Sequence, residues 1–157
     1  MAMPALGSKA PGFSLPDASG QIVKLPDFAG RRLVLYFYPK DDTPGCTLEA
    51  CGFRDKRADY EKLGVSVVGI SPDGAQSHAK FAAKYKLPFT LLTDEGAAVA
   101  QKYGAWGKKK FLGKEYDGIS RTTFIIGKDG LVEKIFENVK PLGHEKEVLA
   151  WLGANKA

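Results

Sequence analysis

The chain has 157 residues, of which 44% are hydrophobic and 26% charged, and 23 Lys and Arg against 18 Asp and Glu give a formal charge of +5. These are the values of one globular domain that buries roughly 70% of its unfolded surface, and they exclude disordered, collagen-like and coiled-coil chains. No apolar run approaches the roughly 18 residues of a membrane helix, and Met1 to Gly7 has neither the basic flank nor the apolar stretch of a signal peptide, so a cytoplasmic protein with no membrane partner is expected.

In chain order, Phe13-Ser14-Leu15 and Ile22 to Leu25 flank the turn residues Asp17-Ala18-Ser19-Gly20 and predict a short β-hairpin. Leu33 to Tyr38 is a continuous apolar, β-branched and aromatic run, the pattern of a strand buried on both faces. From Cys46 to about Leu63 apolar residues recur at helical spacing, Gly64 closes the helix, and Val65 to Ile70 reads as a second buried strand. After the turn Ser71-Pro72-Asp73-Gly74, the residues Phe81, Ala82 and Tyr85 predict a helix that ends before Pro88. Phe89 to Leu92 is strand-like, Ala97 to Tyr103 a short helix, and the Gly- and Lys-rich stretch from Gly104 to Gly118 reads as a long loop. Thr122 to Ile126 and Leu131 to Phe136 flank Gly127-Lys128-Asp129-Gly130, a strong hairpin signal, and a last helix runs from about Gly143 to Leu152. Alternating strands and helices imply an α/β fold, a central mixed sheet flanked by helices with an N-terminal hairpin, and no linker or repeat divides the chain, so residues 1–157 are read as a single domain.

The basic residues are spread along the chain with acids between them, and the densest run, Lys108-Lys109-Lys110, reads as a solvated loop. With no zinc-finger or RNA-binding signature, a nucleic acid partner is not expected. His78 and His144 stand outside any motif and read as surface residues, and with two cysteines they make no metal-ligand spacing. Trp106 and Trp151 read as packing residues.

The two cysteines carry the chemistry. A domain of this size needs no covalent staple, yet Cys46 and Cys51 stand five positions apart, which suggests thiol chemistry. The loop Pro39 to Gly45 leaves the end of a buried strand and places Cys46 in the first turn of a helix at the carboxyl edge of the sheet. Unpaired N–H groups and the helix dipole there favour negative charge, hence a thiolate. A free thiol is only about 3% ionised at pH 7, so such a site supplies a nucleophile without a separate base. Five helical steps set the two Cα atoms roughly 8.7 Å apart, whereas a disulfide needs them below about 7 Å. Either the pair never bonds or the helix unwinds locally when it does, and a staple would not be placed where forming it breaks the helix.

At these residues the chain resembles a known family. Pro39 to Cys46 matches the peroxiredoxin pattern of proline, three residues, threonine, two residues and cysteine. The continuation Thr47-Leu48-Glu49-Ala50-Cys51 and the distal run from Lys114 to Phe124 are similar to the peroxiredoxin Q or bacterioferritin comigratory protein subfamily, and the likeness extends from Gly12-Phe13 to the last helix. The resemblance implies a thioredoxin-like fold and a thiol peroxidase acting on hydrogen peroxide and organic hydroperoxides. It implies Cys46 as the peroxidatic cysteine and Cys51 as the resolving one, joined by an intramolecular disulfide that thioredoxin or a similar dithiol reduces. Thr43, Pro39 and Arg121 would shape the peroxide pocket, with no cofactor. The backbone N–H groups at Cys46, the Thr43 hydroxyl and the Arg121 guanidinium are the expected donors to developing negative charge, and Pro39 would shield Cys46 from water. Resolution within one chain requires no dimer, so a monomer is expected.

Packing readings stand beside these. Cys46 could be a small buried hydrophobe, Cys51 could share a core face with Leu48, Thr43 could only cap the helix, and Arg121 could be a surface charge in a salt bridge. Glu49 and Arg54 read as the solvated side of the cysteine helix. Two other functions remain for the same pair of thiols. A thiol–disulfide exchanger would want the closer Cys-x-x-Cys spacing, and a redox sensor would need a partner that nothing in the sequence designates.

Overall fold

The computed structural model describes residues 3–156. β1 (Ser14–Pro16) and β2 (Ile22–Lys24) pair antiparallel as the expected hairpin. β3 (Arg32–Phe37) is buried along its whole length, as its unbroken apolar run requires. There follow α1 (Pro44–Asp55), α2 (Arg57–Lys62), β4 (Val65–Ser71), α3 (Ala75–Tyr85), β5 (Thr90–Thr93) and α4 (Ala98–Lys102). The remainder is β6 (Trp106–Phe111), β7 (Lys114–Ile119), β8 (Thr122–Ile126), β9 (Val132–Phe136) and α5 (His144–Ala154).

Five strands form one mixed sheet in the order β5-β4-β3-β8-β9. β3, β4 and β5 run parallel, and β8 and β9 are added antiparallel on the other side of β3. Alternation along β3 sends Leu33, Leu35 and Phe37 into one core and Val34 and Tyr36 into the other, with Tyr38 just beyond the strand joining the latter. The second core is covered by Phe53 of α1, Tyr60 of α2, Phe81 of α3 and Val148 and Leu152 of α5. Phe13 and Leu15 from the N-terminal segment and Val99 and Ala100 of α4 cover the first. Each large apolar side chain buried this way contributes roughly 1.5–3 kcal/mol. Gly69 of β4 pairs with Tyr36, and a Cβ there would stand 2.8 Å from the Tyr36 ring, so the glycine lets that ring lie against the neighbouring strand.

The structure departs from the sequence reading at three places. The helix expected from Cys46 to Leu63 starts at Pro44 and is broken into α1 and α2 at Lys56, whose φ of −103° and ψ of 14° are not helical. No Gly or Pro marks that break. The stretch from Gly104 to Gly118 is not a loop for most of its length: β6 and β7 form a two-stranded antiparallel ribbon, joined at Leu112 and Gly113 with φ of 51° and 78°. Positive φ at both central residues is the two-residue hairpin turn whose twist suits the strands. The ribbon is outside the main sheet and carries lysines on both strands, so it lacks the apolar alternation that would have announced it. Finally, His78 and His144 are both buried, with exposures of 0% and 2%, and neither is a surface residue.

The topology fixes where the site must lie. The parallel strands β3, β4 and β5 end on one edge of the sheet, and the antiparallel β8 begins there, with Thr122 opposite Phe37. Arg121, one residue before β8, therefore meets the loop that leaves β3 for α1.

Candidate active site

Tyr38 still donates its backbone N–H to Ile70 at 3.0 Å, after which the chain turns away through half-buried Pro39 and exposed Lys40. Thr43 is the residue before the helix, extended at φ −93° and ψ 156°, and Pro44 follows in the first helical position, where its missing N–H costs nothing. The first helical bond runs from the Thr47 N–H to the Thr43 carbonyl at 2.8 Å, so the N–H groups of Gly45 and Cys46 precede the ladder and remain available to an anion.

The Thr43 hydroxyl does not cap the helix; it donates to the Lys40 carbonyl at 2.9 Å. Its proton is thereby committed, which corrects the expectation that it is a donor in the pocket. What it leaves free are its oxygen lone pairs, which can accept a hydrogen bond from an O–H group.

Cys46 is 1% exposed, and Arg121 Nη2 donates to its Sγ at 3.0 Å. The other arm of the same guanidinium, Nη1, donates to Glu49 Oε1 at 3.0 Å. Gly45 makes this approach feasible, since a Cβ at that position would stand 2.8 Å from Arg121 Nη2. The Arg121 backbone is held in turn by the Val139 N–H, which donates to its carbonyl at 3.1 Å. Arg121 does stand in a salt bridge, as the packing reading allowed, but with the buried Glu49 and not on the surface.

Glu49, read as solvated, is 1% exposed and lies three residues after Cys46 on the same face of α1. Burial pushes its carboxyl up to about 7, against the charge and hydrogen bond of Arg121, which pull the other way. Arg54, the other residue read as solvated, donates from Nη1 to the Tyr85 carbonyl at 2.7 Å and ties α1 to the end of α3. Leu48 is 46% exposed and Cys51 half-buried, so the two do not form a core face. Both cysteines are free thiols on the unbroken α1, where helical geometry keeps their Cα atoms roughly 8.7 Å apart.

The ribbon contributes one further charge. Lys108 and Lys110 are exposed as expected, but Lys109 turns inward and donates from Nζ to the Ile119 carbonyl at 2.8 Å. Its ammonium is held below its ordinary value by burial and by the charge of Arg121, with Cys46 acting in the opposite sense.

Residues 6–135 match the AhpC/TSA family. Over 146 residues the chain is 50% identical to peroxiredoxin Bcp of Escherichia coli strain K12, covering 93% of this chain and 94% of the relative. The chain belongs to the peroxiredoxins of the AhpC/TSA family. It is also 46% identical over 147 residues to peroxiredoxin Bcp of Bacillus subtilis strain 168, covering 94% of each chain. Among solved structures, the bacterioferritin comigratory protein of Xanthomonas campestris, captured as trapped intermediate and ligand complexes bearing on its alkyl peroxide reduction activity, matches with a TM-score of 0.87, at 36% identity and 92% of both chains.

This peroxiredoxin is thus an enzyme, a thiol peroxidase on a thioredoxin-like fold. Of its five expected site residues, the structure brings Cys46, Thr43 and Arg121 to one end of α1, sets Pro39 at the start of the same loop, and leaves Cys51 further along the helix. The residue that sequence reasoning missed is Glu49. Its three-residue spacing from Cys46 was the available signal, but a glutamate on a helix is far more often solvated than buried.

Proposed function

We propose that this peroxiredoxin reduces hydrogen peroxide and alkyl hydroperoxides with Cys46 as nucleophile and Cys51 as resolving thiol, acting as a single-domain monomer in the cytoplasm. The observation that carries this reading is the Arg121 guanidinium at 3.0 Å from the Cys46 sulfur, beside the free N–H groups of the helix start. The Cys46 thiolate attacks the distal oxygen of the peroxide. An S–O bond forms, the O–O bond breaks, and the departing alkoxide or hydroxide takes up a proton, which leaves a sulfenic acid on Cys46. Arg121 and the N–H groups of Gly45 and Cys46 stabilise the negative charge as it passes from sulfur to the leaving oxygen, while the Thr43 oxygen accepts a hydrogen bond from the hydroperoxide O–H. Pro39 bounds the loop on the solvent side.

The Cys51 thiol then attacks the sulfenic sulfur, forming the S–S bond and releasing water, and this requires α1 to unwind between the two residues. A dithiol of the thioredoxin class returns two electrons and two protons and restores both thiols. The exchanger reading is disfavoured because Cys46 at 1% exposure is out of reach of a protein disulfide. The inclusion of alkyl hydroperoxides among its substrates is supported by the alkyl peroxide reduction activity of the Xanthomonas campestris relative.

Peroxide consumption by the protein and its Cys46→Ser and Cys51→Ser variants, with thioredoxin and with a small thiol as reductant, tests the assignment. Cys46→Ser is expected to abolish the first turnover, and Cys51→Ser to react once and stall as a sulfenic acid with thioredoxin. Full activity of Cys46→Ser overturns the mechanism.

A further inference from the structure

The loop ahead of Thr43 carries a cluster of buried polar groups that takes no part in the chemistry above. Asp41 is 7% exposed and His78 is fully buried. Asp41 Oδ2 lies 2.7 Å from His78 Nδ1 and accepts the Ser77 hydroxyl at 2.8 Å, while its Oδ1 accepts the Tyr38 hydroxyl at 2.6 Å. His78 Nε2 faces the Leu92 carbonyl at 3.0 Å. A carbonyl can only accept, and the Asp41 carboxylate already receives two hydroxyl protons. The ring's Nε2 therefore donates to Leu92, and its Nδ1 sits between the Asp41 carboxyl group and the Tyr38 hydroxyl, the latter 3.4 Å away. The neighbouring groups complete the clamp: the Asp41 N–H donates to Asp73 Oδ2 at 2.8 Å, and Asp42, at a φ of 56°, accepts from Lys84 Nζ at 2.9 Å and the Tyr85 hydroxyl at 2.8 Å.

These contacts join four elements: the end of β3, the β4–α3 turn, α3 and β5. They stop at Asp42. Beyond it, Thr43 is held by Lys40 and Cys46 by Arg121, contacts that lie in or against the segment that must unwind for Cys46 to meet Cys51. Resting on the assignment of Cys46 as nucleophile, we propose that Asp41 and His78 are positioning residues for the peroxidase reaction: a buried Asp–His pair that pins the chain immediately ahead of Thr43 and returns Thr43 and the helix start to their reactive geometry after each unwinding. Neither residue touches the peroxide. Each acts through the position of the Thr43 hydroxyl and of the Gly45 and Cys46 N–H groups, for which a misplacement of about 1 Å is enough to cost about a hundredfold in rate.

The test combines single-turnover kinetics with nitrogen-15 spectra of the His78 ring. The His78 ring-nitrogen resonances are expected to shift in Asp41→Asn; spectra identical to those of the unmodified protein overturn the pair, whatever the rates do. Asp41→Asn and His78→Gln are expected to fold and to react with peroxide at least about tenfold more slowly. The double variant is expected to be no worse than either single one, because the two residues act as a unit. Ser77→Ala, which removes one hydrogen bond and keeps the pair, is the milder variant, with an expected slowing of about threefold. Asp41→Asn or Ser77→Ala at the full rate overturns the positioning role. Cys46→Ser in the same assay separates the two levels: inactivity there with full activity in Asp41→Asn rejects only this proposal, and turnover by Cys46→Ser rejects the nucleophile itself.

Discussion

Arg121 and Cys46 are 75 positions apart in the chain, yet one guanidinium nitrogen of the arginine sits 3.0 Å from the cysteine sulfur. That contact is a product of topology, since the antiparallel β8 opens at the edge where β3 gives way to α1. A hydrogen bond to a charged partner contributes about 1.5–3 kcal/mol, which sets the expected slowing of Arg121→Ala at roughly ten- to a hundredfold in the reaction with peroxide. Arg121→Lys should recover only part, because an ammonium cannot span Cys46 and Glu49 as the planar fork does. Stopped-flow measurement under single-turnover conditions checks both, and equal rates for Lys and Arg would show that charge alone suffices.

Gly45 separates activity from stability. In the first turn of α1, Gly45→Ala should raise helix stability by up to about 1 kcal/mol. The new Cβ would stand 2.8 Å from Arg121 Nη2 and must push it aside. The expected outcome is an unfolding midpoint that is unchanged or higher, together with a peroxide rate lowered roughly tenfold. A variant that keeps its full rate would show that Arg121 has slack.

Glu49 introduces a pH dependence of stability. Burial pushes its carboxyl up to about 7 in the folded protein, while in the unfolded chain it ionises near its ordinary value. Between those two values the folded state holds the extra proton. The stabilisation is therefore complete at low pH and is lost as pH rises through about 7. Glu49→Gln should flatten that slope in denaturant titrations. It should also keep the peroxide rate within about threefold, because the amide oxygen still accepts from Arg121, whereas Glu49→Ala should cost about tenfold.

His144 acts in the opposite sense. Burial holds its imidazole below the ordinary histidine value, with Glu147 pulling it up, and Thr123 and Glu147 contact its two nitrogens at 2.8 and 2.9 Å. The unfolded chain takes up this proton near pH 6.5 while the folded ring resists it. Stability is thus complete above about pH 6.5 and is lost as pH falls toward the lower folded value. The difference in denaturant midpoint between the protein and His144→Gln should shrink as pH falls, and a constant difference would contradict the assignment.

The legible parts of the sequence were those whose signal is local. The β3 run, the β8–β9 hairpin turn and the Pro39 to Cys46 loop each carry their meaning within ten residues, and they were enough to place Cys46 at a helix start. Glu49, Asp41 and His78 were hidden because a charged residue is read as solvated until its partner is known, and Arg121 lies 72 positions from Glu49. The β6–β7 ribbon was hidden for another reason. Its lysines at 108, 110 and 114 are exposed, and its pairing rests on backbone bonds and a two-residue turn. The same ribbon explains why Lys109 cannot be grouped with its neighbours: strand alternation turns it inward and turns them out.

Unwinding of α1 should be visible in amide exchange. The cysteines cannot bond across an intact helix, so the oxidised protein should lose protection over residues 46–52 while β3 and β4 keep theirs. Equal protection in both redox states would exclude local unwinding.

The most direct measurement is mass spectrometry of the protein after one equivalent of peroxide. The expected product is a monomer carrying a single intramolecular bond between Cys46 and Cys51, absent from both Cys→Ser variants, with the sulfenic acid trapped on Cys46 in Cys51→Ser. A Cys46–Cys46 dimer, or a sulfenic acid found on Cys51, would contradict it.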